Sequence, residues 1–181
     1  MSRIAAPASI EGSPAASQPL LRAVQKQLGS VPNLFRVVGN SPAALEGYLG
    51  LNSALNKALD GKTRERIALA VAQVNGCDYC LSAHTYLGTN LAKLDPAELA
   101  ANRRGHSNDA KADVAVGFAK KIAEARGKVS NSDIAAVKAA GFSDAQVIEI
   151  VLVVALNFLT NLVNNVADTE IDFPVVSANA A

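Results

Sequence analysis

Residues 65–84 read ERIALAVAQVNGCDYCLSAH, and this stretch decides how the chain folds. Residues 67–72 are apolar on every face, which predicts a helix that is buried all round rather than one that lies on the surface. Asn75-Gly76 breaks that helix, and a second helix is predicted to begin near Cys77 and to continue to about residue 87. Because the turn between the two helices is short, the second must fold back along the first. The sequence therefore predicts an antiparallel helix pair, carrying a C-x-x-C motif, at the centre of the fold.

The rest of the chain is also predicted to be helical. Alanine, the strongest helix former, supplies 34 of the 181 residues, Trp is absent, and aromatic residues make up only 4%. We predict an all-α single domain of six to eight helices over residues 20–175, preceded by a flexible arm over residues 1–19. Residues 31–35 are expected to be extended or turn-like. The predicted helices cover residues 20–28, 42–59, 63–74, 77–87, 95–103, 109–126, 130–141 and 143–168, with Ser41, Thr63 and Ser143 among the expected N-caps.

Composition excludes several classes of protein. A net charge of +1 at pH 7 is too balanced for a protein that binds nucleic acid by electrostatic attraction. Two cysteines, at positions 77 and 80, are too few and too close together for a secreted disulfide scaffold. The first 19 residues lack the continuous apolar segment of a signal peptide. These features predict a cytoplasmic protein with no nucleic-acid partner.

The last predicted helix is the most apolar segment of the chain. Residues 147–163 have the hydropathy of a membrane span, but polar side chains interrupt them and their unbroken apolar core is far too short to cross a bilayer. The interrupting residues are Glu149, Asn157, Thr160 and Asn161. We therefore predict a buried helix and no membrane partner. Because one small domain does not easily cover every face of such a helix, we expect a homo-oligomer; the alternative is the central helix of a monomer.

Three side chains of the C-x-x-C region share one helix face. Cys77, Cys80 and His84 are spaced i, i+3 and i+7, so they lie on one side of the second helix. Cys77 falls in the first turn, where free N–H groups and the helix dipole favour a thiolate. Glu65 lies roughly 15 Å before the turn and His84 roughly 12 Å beyond it, so folding back brings the two level. The segment thus offers a carboxylate, an imidazole and two thiols in one relay.

Such a relay suits the reduction of peroxides. A thiolate formed with the help of a neighbouring base attacks the O–O bond and becomes a sulfenic acid, which a second thiol converts to a disulfide. An outside electron donor must then reduce that disulfide. Cys80, which is nearer the imidazole, is the predicted attacking thiol. Cys77, at the start of the helix, is the predicted point of attack for the reductant.

Other interpretations of the same residues stay open. The cysteine pair can be half of a zinc site, with His84 and His106 as the only histidines available to complete its four ligands. The two cysteines can also be buried and inert. Taken alone, Glu65 suits a carboxylate that complements the helix dipole, and His84 suits a core histidine. A c-type haem site is excluded, because Leu81 rather than His follows the second cysteine.

The pattern Glu65, Asn75-Gly76-Cys77-x-x-Cys80-x-x-x-His84 resembles the core motif of the alkylhydroperoxidase D-like branch of the carboxymuconolactone decarboxylase superfamily. The stretches 29–36 (GSVPNLFR) and 161–174 are similar to its peroxidase-related members, so the resemblance covers roughly residues 20–175. It implies an all-helical fold assembled as trimers or hexamers, with no metal or organic cofactor.

The resemblance also implies roles for individual residues. Cys80 corresponds to the peroxidatic cysteine, Cys77 to the resolving cysteine, His84 to the proton acceptor and Glu65 to its partner. Tyr79 departs from the pattern, because the best-known members have a second histidine between the two cysteines.

Three functions follow as candidates. The first is a thiol-dependent peroxidase or disulfide reductase that acts on a hydroperoxide and takes electrons from an unknown thiol or dithiol. The second is a lyase acting on a γ-lactone acid, with Arg64, Arg66 or Arg103 binding its carboxylates. The third is a non-enzymatic redox sensor or a zinc-stapled interaction protein. We favour the first, because Glu65 and His84 share a register with both cysteines.

Overall fold

The computed structural model describes residues 2–180 and contains nine α-helices and one short 3-10 helix over that range. The α-helices are α1 (Gln18–Leu28), α2 (Asn33–Val38), α3 (Pro42–Leu55), α4 (Gly61–Val74), α5 (Asp78–Asn90), α6 (Pro96–Arg103), α7 (Ala110–Ala125), α8 (Asn131–Ala139) and α9 (Asp144–Ala167). No strand occurs between residues 2 and 180, which confirms the predicted all-α single domain.

Side-chain caps fix the start of most helices in the described range, including those predicted at Ser41 and Ser143. Ser41 accepts a hydrogen bond from the backbone N–H of Ala44 at the start of α3. Ser143 and Gln146 form a capping box at the start of α9, in which each side chain accepts the other residue's backbone N–H. At the other end of a helix, Gly29 closes α1 with a left-handed backbone (φ 81°), a conformation that glycine adopts without steric penalty.

Several helix boundaries differ from the prediction, and one helix was not predicted. α4 begins at Gly61, because Asp60 rather than Thr63 is its N-cap: the Asp60 carboxylate accepts the backbone N–H of Thr63 at 2.9 Å and its hydroxyl at 2.7 Å. α3 ends at Leu55, short of the predicted end near residue 59. Helix α2 begins inside the stretch expected to be extended, and its six residues are too few to show a helical period. This extra helix raises the number of α-helices in the described range to nine instead of six to eight.

Helix α4 is the centre of the domain. It packs against α5, α6, α7 and α9, and residues 67–72 are all buried, as their apolar character on every face predicts. One apolar cluster joins α4 to α7 and α9, and a second joins it to α1, α2 and α5. This arrangement places α5, which carries the C-x-x-C motif at its start, between α4 and the C-terminal half of α9.

The last helix buries only one of its faces. α9 has 24 residues and is about 36 Å long. Its opposite side is apolar but exposed, and we call this side the outward face of α9. The outward face consists of Ile148, Leu152, Ala155, Leu159, Leu162 and Val166. By length and composition alone α9 could also cross a membrane, and 39% of its apolar stretch is buried inside the protein.

The segments that flank the helices lie against them. The backbone N–H of Arg3 donates to the carbonyl of Ala167 at 2.6 Å, and the Asn40 side chain donates to the carbonyl of Ala5 at 2.9 Å. The predicted flexibility of residues 1–19 stays a prediction, and Met1 lies outside the described residues. Residues 169–178, here called the C-terminal strap, lie along α5, where Val176 N–H donates to Ser82 Oγ at 2.9 Å.

Candidate active site

The two cysteines stand at the start of α5. Gly76 takes a left-handed backbone (φ 59°) that turns the chain from α4 into α5. Cys77 is the N-cap of α5, and its Sγ accepts the backbone N–H of Cys80 at 3.3 Å. Both thiols are free and buried, with 0% of Cys77 and 2% of Cys80 exposed. The two cysteines are therefore held in a buried, hydrogen-bonded turn rather than on an exposed helix face.

Glu65 and His84 meet as the helix register predicts. His84 Nδ1 lies 2.8 Å from Glu65 Oε2, and about a fifth of each side chain is exposed, 21% for His84 and 23% for Glu65. The contact forms because α5 folds back along α4, so that residues almost equally far from the Asn75-Gly76 turn come level. The bond fixes the orientation of the imidazole ring and leaves Nε2 free to exchange a proton.

The pKa values of the two thiols are shifted in opposite directions. A hydrogen bond from the Cys77 thiol holds the pKa of Cys80 below its ordinary value; burial opposes this shift, while the charge of His84 and the Asn164 amide reinforce it. The same Cys77–Cys80 hydrogen bond, together with burial, raises the pKa of Cys77. The expectation that the helix start favours a thiolate at Cys77 is therefore wrong, because the hydrogen bond to Cys80 and burial raise the pKa of Cys77. Of the two sulfurs, Cys80 is the one whose thiolate form the surroundings favour.

The charge of His84 is one of the influences that lower the pKa of Cys80. Burial lowers the pKa of His84, but the Glu65 carboxylate and the charge of Cys80 outweigh burial and raise that pKa above its ordinary value. Within the described residues, the hydrogen bond to Cys80 Sγ comes from Asn164 and not from the imidazole. A cationic imidazole near an anionic sulfur is the arrangement that keeps a cysteine nucleophilic at neutral pH.

Sequence analysis missed the asparagines of α9. Asn164 Nδ2 donates to Cys80 Sγ at 3.3 Å, and Asn161 Oδ1 accepts the Asn75 side chain at 2.8 Å. Asn157, Thr160, Asn161 and Asn164 are all buried, and their spacing places them on the inward side of the helix. The signal was present in the sequence as a polar stripe in an otherwise apolar helix. From the sequence alone, this polar stripe argues only against a membrane span.

A cavity of about 660 Å³ leads to Cys80. Cys80, Glu65, His84 and Tyr48 line it, together with Tyr86, whereas Cys77 does not reach it. The cavity size is typical of a site for a small organic molecule. In this conformation Cys80 is the sulfur next to the cavity, so the structure does not support the predicted attack of a reductant at Cys77.

The Tyr79 hydroxyl is hydrogen-bonded to Leu34 and Asp172, not to the cysteines, His84 or Glu65. The hydroxyl donates to Asp172 Oδ1 at 2.8 Å and accepts the backbone N–H of Leu34 at 3.1 Å. Asp172 in turn accepts the N–H of Asn33 at 2.8 Å, and the Phe173 ring packs edge-on against Tyr79 with centroids 5.8 Å apart. Tyr79 thereby ties the start of α2 and the C-terminal strap to α5. It forms a wall of the cavity.

The residues needed for the alternative functions are dispersed. Of the three candidate arginines, Arg66 pairs with the buried Glu98 at 2.7 Å, and Arg103 donates to Gln73 at 2.8 Å; only Arg64 lines the cavity. His106 lies 3.3 Å from Asp113, on α7. Between residues 2 and 180, no three His, Cys, Asp or Glu side chains converge into a group that could hold a metal ion. The structure therefore favours neither the lyase nor the zinc interpretation.

The chain is similar to known proteins in sequence and in fold. Residues 42–125 match the carboxymuconolactone decarboxylase family. The whole fold is similar to an alkylhydroperoxidase AhpD core, an uncharacterized peroxidase-related protein from Ralstonia eutropha JMP134, with a TM-score of 0.82, 24% identity and coverage of 94% of this chain and 92% of that one. A peroxidase-related protein from Silicibacter sp. TM1040 gives 0.77, 26% identity and coverage of 87% and 85%. These similarities support the assignment of the chain to the superfamily of alkylhydroperoxidase D and carboxymuconolactone decarboxylase.

Members of this fold carry more than one chemistry. The debrominase Bmp8 has the same fold, with a TM-score of 0.73, 19% identity and coverage of 92% of this chain and 89% of that one. An uncharacterized protein from Haemophilus influenzae is 51% identical over 45 residues, which span 24% of this chain and only 40% of that relative. Because neither likeness assigns a reaction, the reaction has to be argued from the side chains of the site.

Proposed function

We propose that this protein is a thiol-dependent peroxidase that reduces a hydroperoxide through Cys77 and Cys80, assisted by His84 and Glu65. The observation that carries the proposal is the setting of the Cys80 sulfur. It lines the cavity, its pKa is held low first by the Cys77 thiol, and the charge of His84, which is hydrogen-bonded to Glu65, adds to that effect. A thiolate beside a cation and a second thiol is what peroxide reduction requires.

The first step oxidises Cys80. Its thiolate attacks the terminal oxygen of the hydroperoxide, so that an S–O bond forms, the O–O bond breaks and the sulfur loses two electrons. The departing alkoxide takes the proton of the His84 imidazolium and leaves as an alcohol. Glu65 keeps the imidazole oriented and charged until that transfer.

The second step forms the disulfide. The Cys77 sulfur attacks the sulfur of the Cys80 sulfenic acid, and the hydroxyl leaves as water with the Cys77 proton. A thiol or dithiol donor then returns two electrons and two protons to the pair. We place this cycle in the cytoplasm, where cellular thiols keep such pairs reduced. No metal or organic cofactor takes part in the proposed steps.

The proposal is tested by mass spectrometry of the thiols after one equivalent of peroxide. We expect the wild type to form an intramolecular Cys77–Cys80 disulfide and the Cys77→Ser variant to gain a single oxygen at Cys80. The Cys80→Ser variant should take up no oxygen on that timescale, because the pKa of Cys77 is raised. Oxidation of Cys77 in Cys80→Ser at the wild-type rate would reject the assignment.

We also propose that the protein assembles as a homo-oligomer, a trimer or hexamer, through the outward face of α9. The side chains of this face follow one another at intervals of four and three residues over residues 148–166, the spacing by which helices pack side by side in coiled coils. Ile148, Leu162 and Val166 are 57–63% exposed in the single chain, which is unusual for apolar residues that share one helix face.

Light scattering tests this assembly. We expect a mass above the 18.7 kDa of one chain and a smaller particle for Leu162→Glu, because a charge on the outward face opposes its burial. Val175→Glu is the matched control, since Val175 is 72% exposed on the C-terminal strap and lies outside that face. A wild-type monomer would reject the proposal, and binding of that monomer to lipid vesicles would indicate a membrane surface instead.

A further inference from the structure

Two buried amide atoms beside Cys80 have no hydrogen-bond partner. They are Nδ2 of Asn161, a donor, and Oδ1 of Asn164, an acceptor. The other atom of each amide is engaged: Asn161 Oδ1 accepts from Asn75 at 2.8 Å, and Asn164 Nδ2 donates to Cys80 Sγ at 3.3 Å. Buried polar atoms without partners are rare in folded proteins, and each one calls for an explanation.

The orientations of both amides follow from their engaged atoms. Turning the Asn164 amide over would place its oxygen against the Cys80 thiolate, where two negative partners repel. Turning Asn161 over would remove the acceptor of the Asn75 side chain and bring a second amide oxygen toward the same sulfur, since the Asn161 amide faces Cys80 and contributes to its lowered pKa. The thiolate state thus leaves the Asn164 acceptor without a partner and the Asn161 donor turned toward the sulfur but outside hydrogen-bond geometry.

A sulfenic acid supplies both missing partners. Its S–O–H group has one oxygen that accepts and one hydrogen that donates, and it is attached to the sulfur that the two amides flank. We propose that Asn161 and Asn164 form a binding site for the hydroxyl of the Cys80 sulfenic acid, in which Asn161 Nδ2 donates to the oxygen and the hydroxyl donates to Asn164 Oδ1. This inference rests on the proposed peroxidase function.

The site has a chemical consequence. Over-oxidation begins when a sulfenic acid loses its proton and the sulfur attacks a second hydroperoxide, which gives a sulfinate and an alcohol. A hydroxyl whose proton is bound by Asn164 ionises less readily, so the intermediate survives until Cys77 attacks it. Asn164 therefore protects the one-oxygen state of Cys80, while Asn161 binds and orients the oxygen of the sulfenic acid.

The Cys77→Ser variant isolates this state, because no resolving thiol is present. In that background we compare Asn161→Leu and Asn164→Leu, and mass spectrometry follows the conversion of one added oxygen to two under excess tert-butyl hydroperoxide. We expect conversion about tenfold faster in Asn164→Leu, the effect of losing one hydrogen bond of ordinary strength, and no faster in Asn161→Leu, because loss of a donor to the oxygen disfavours the ionised form. Asn164→Leu should also slow the first oxidation, since the thiolate loses its amide donor.

Asn102→Leu is the matched control. Asn102 is also fully buried with one unpartnered amide oxygen, but it belongs to α6, where it bonds Glu98. This variant shows the effect of a loosened core alone. Its Cys80 sulfenic acid should therefore over-oxidise at the rate of the Cys77→Ser parent. Over-oxidation of Asn164→Leu at the rate of Asn102→Leu would overturn the inference while leaving the peroxidase proposal intact. Failure of Cys77→Ser to gain any oxygen would overturn both.

A second measurement does not require the Asn161 and Asn164 variants to fold. In isotope-labelled Cys77→Ser protein, the side-chain NH₂ resonances of Asn161 and Asn164 are recorded before and after one equivalent of peroxide. We expect the Asn161 NH₂ signal to move and its exchange with solvent to slow, because it gains an acceptor. An Asn161 signal unchanged by formation of the sulfenic acid would reject the site.

Discussion

Replacing Cys80 by Ser is expected to abolish peroxide turnover, with a loss in kcat/KM on the order of 10⁴-fold or more, since the removal of a catalytic nucleophile has effects of this size. A serine hydroxyl does not ionise at neutral pH, and no neighbour of Cys80 is placed to make it do so. Cys80 is also the sulfur that lines the cavity. The measurement is hydroperoxide consumption with a small dithiol as reductant.

Cys77→Ser is the matched control for this substitution. Both positions are buried and only three residues apart, so the two variants share any general effect of serine in this turn. Cys77→Ser should keep a single oxidation of Cys80 and lose repeated turnover, because no disulfide forms. Turnover that survives in Cys80→Ser would contradict the peroxidase. A wild type that oxidises once but never turns over with any dithiol would identify a redox sensor.

The contact between Glu65 and His84 was predictable because it depends on local structure. Two helices joined by a short turn bring together residues that lie equally far from that turn, and helical rise alone supplies the distance. The buried central helix was also predictable from a local pattern, because residues 67–72 are apolar on every face. These predictions needed no knowledge of the rest of the fold, and the structure agrees with both.

The features that escaped prediction depend on contacts between distant parts of the chain. Asn164 reaches Cys80 across 84 positions, and Tyr79 reaches Asp172 across 93, so no local pattern marks either pair. The ionisation of Cys77 was misjudged for a related reason. The helix dipole favours an anion at that position, but complete burial and a hydrogen bond to Cys80 are stronger there, and both arise from packing.

Glu65→Gln is expected to lower kcat/KM at neutral pH by about 100-fold, within the range found when acid–base assistance is lost. Glutamine can keep a hydrogen bond to His84 Nδ1 but carries no charge. Because the Glu65 carboxylate is the main group that raises the pKa of His84, the substitution lowers that pKa. A less charged imidazole in turn raises the pKa of Cys80, since the charge of His84 is one of the groups that hold it low.

The pH dependence distinguishes this explanation from a damaged fold. The rate of Cys80 alkylation by iodoacetamide follows the thiolate fraction, so its midpoint should move to higher pH in Glu65→Gln, and turnover should recover in part as the pH rises. Loss of structure would lower the rate at every pH alike. Glu46→Gln serves as the control, because Glu46 is an exposed carboxylate on α3 that should leave both profiles unchanged. An alkylation midpoint in Glu65→Gln equal to that of the wild type would show that the carboxylate does not act on the sulfur through His84.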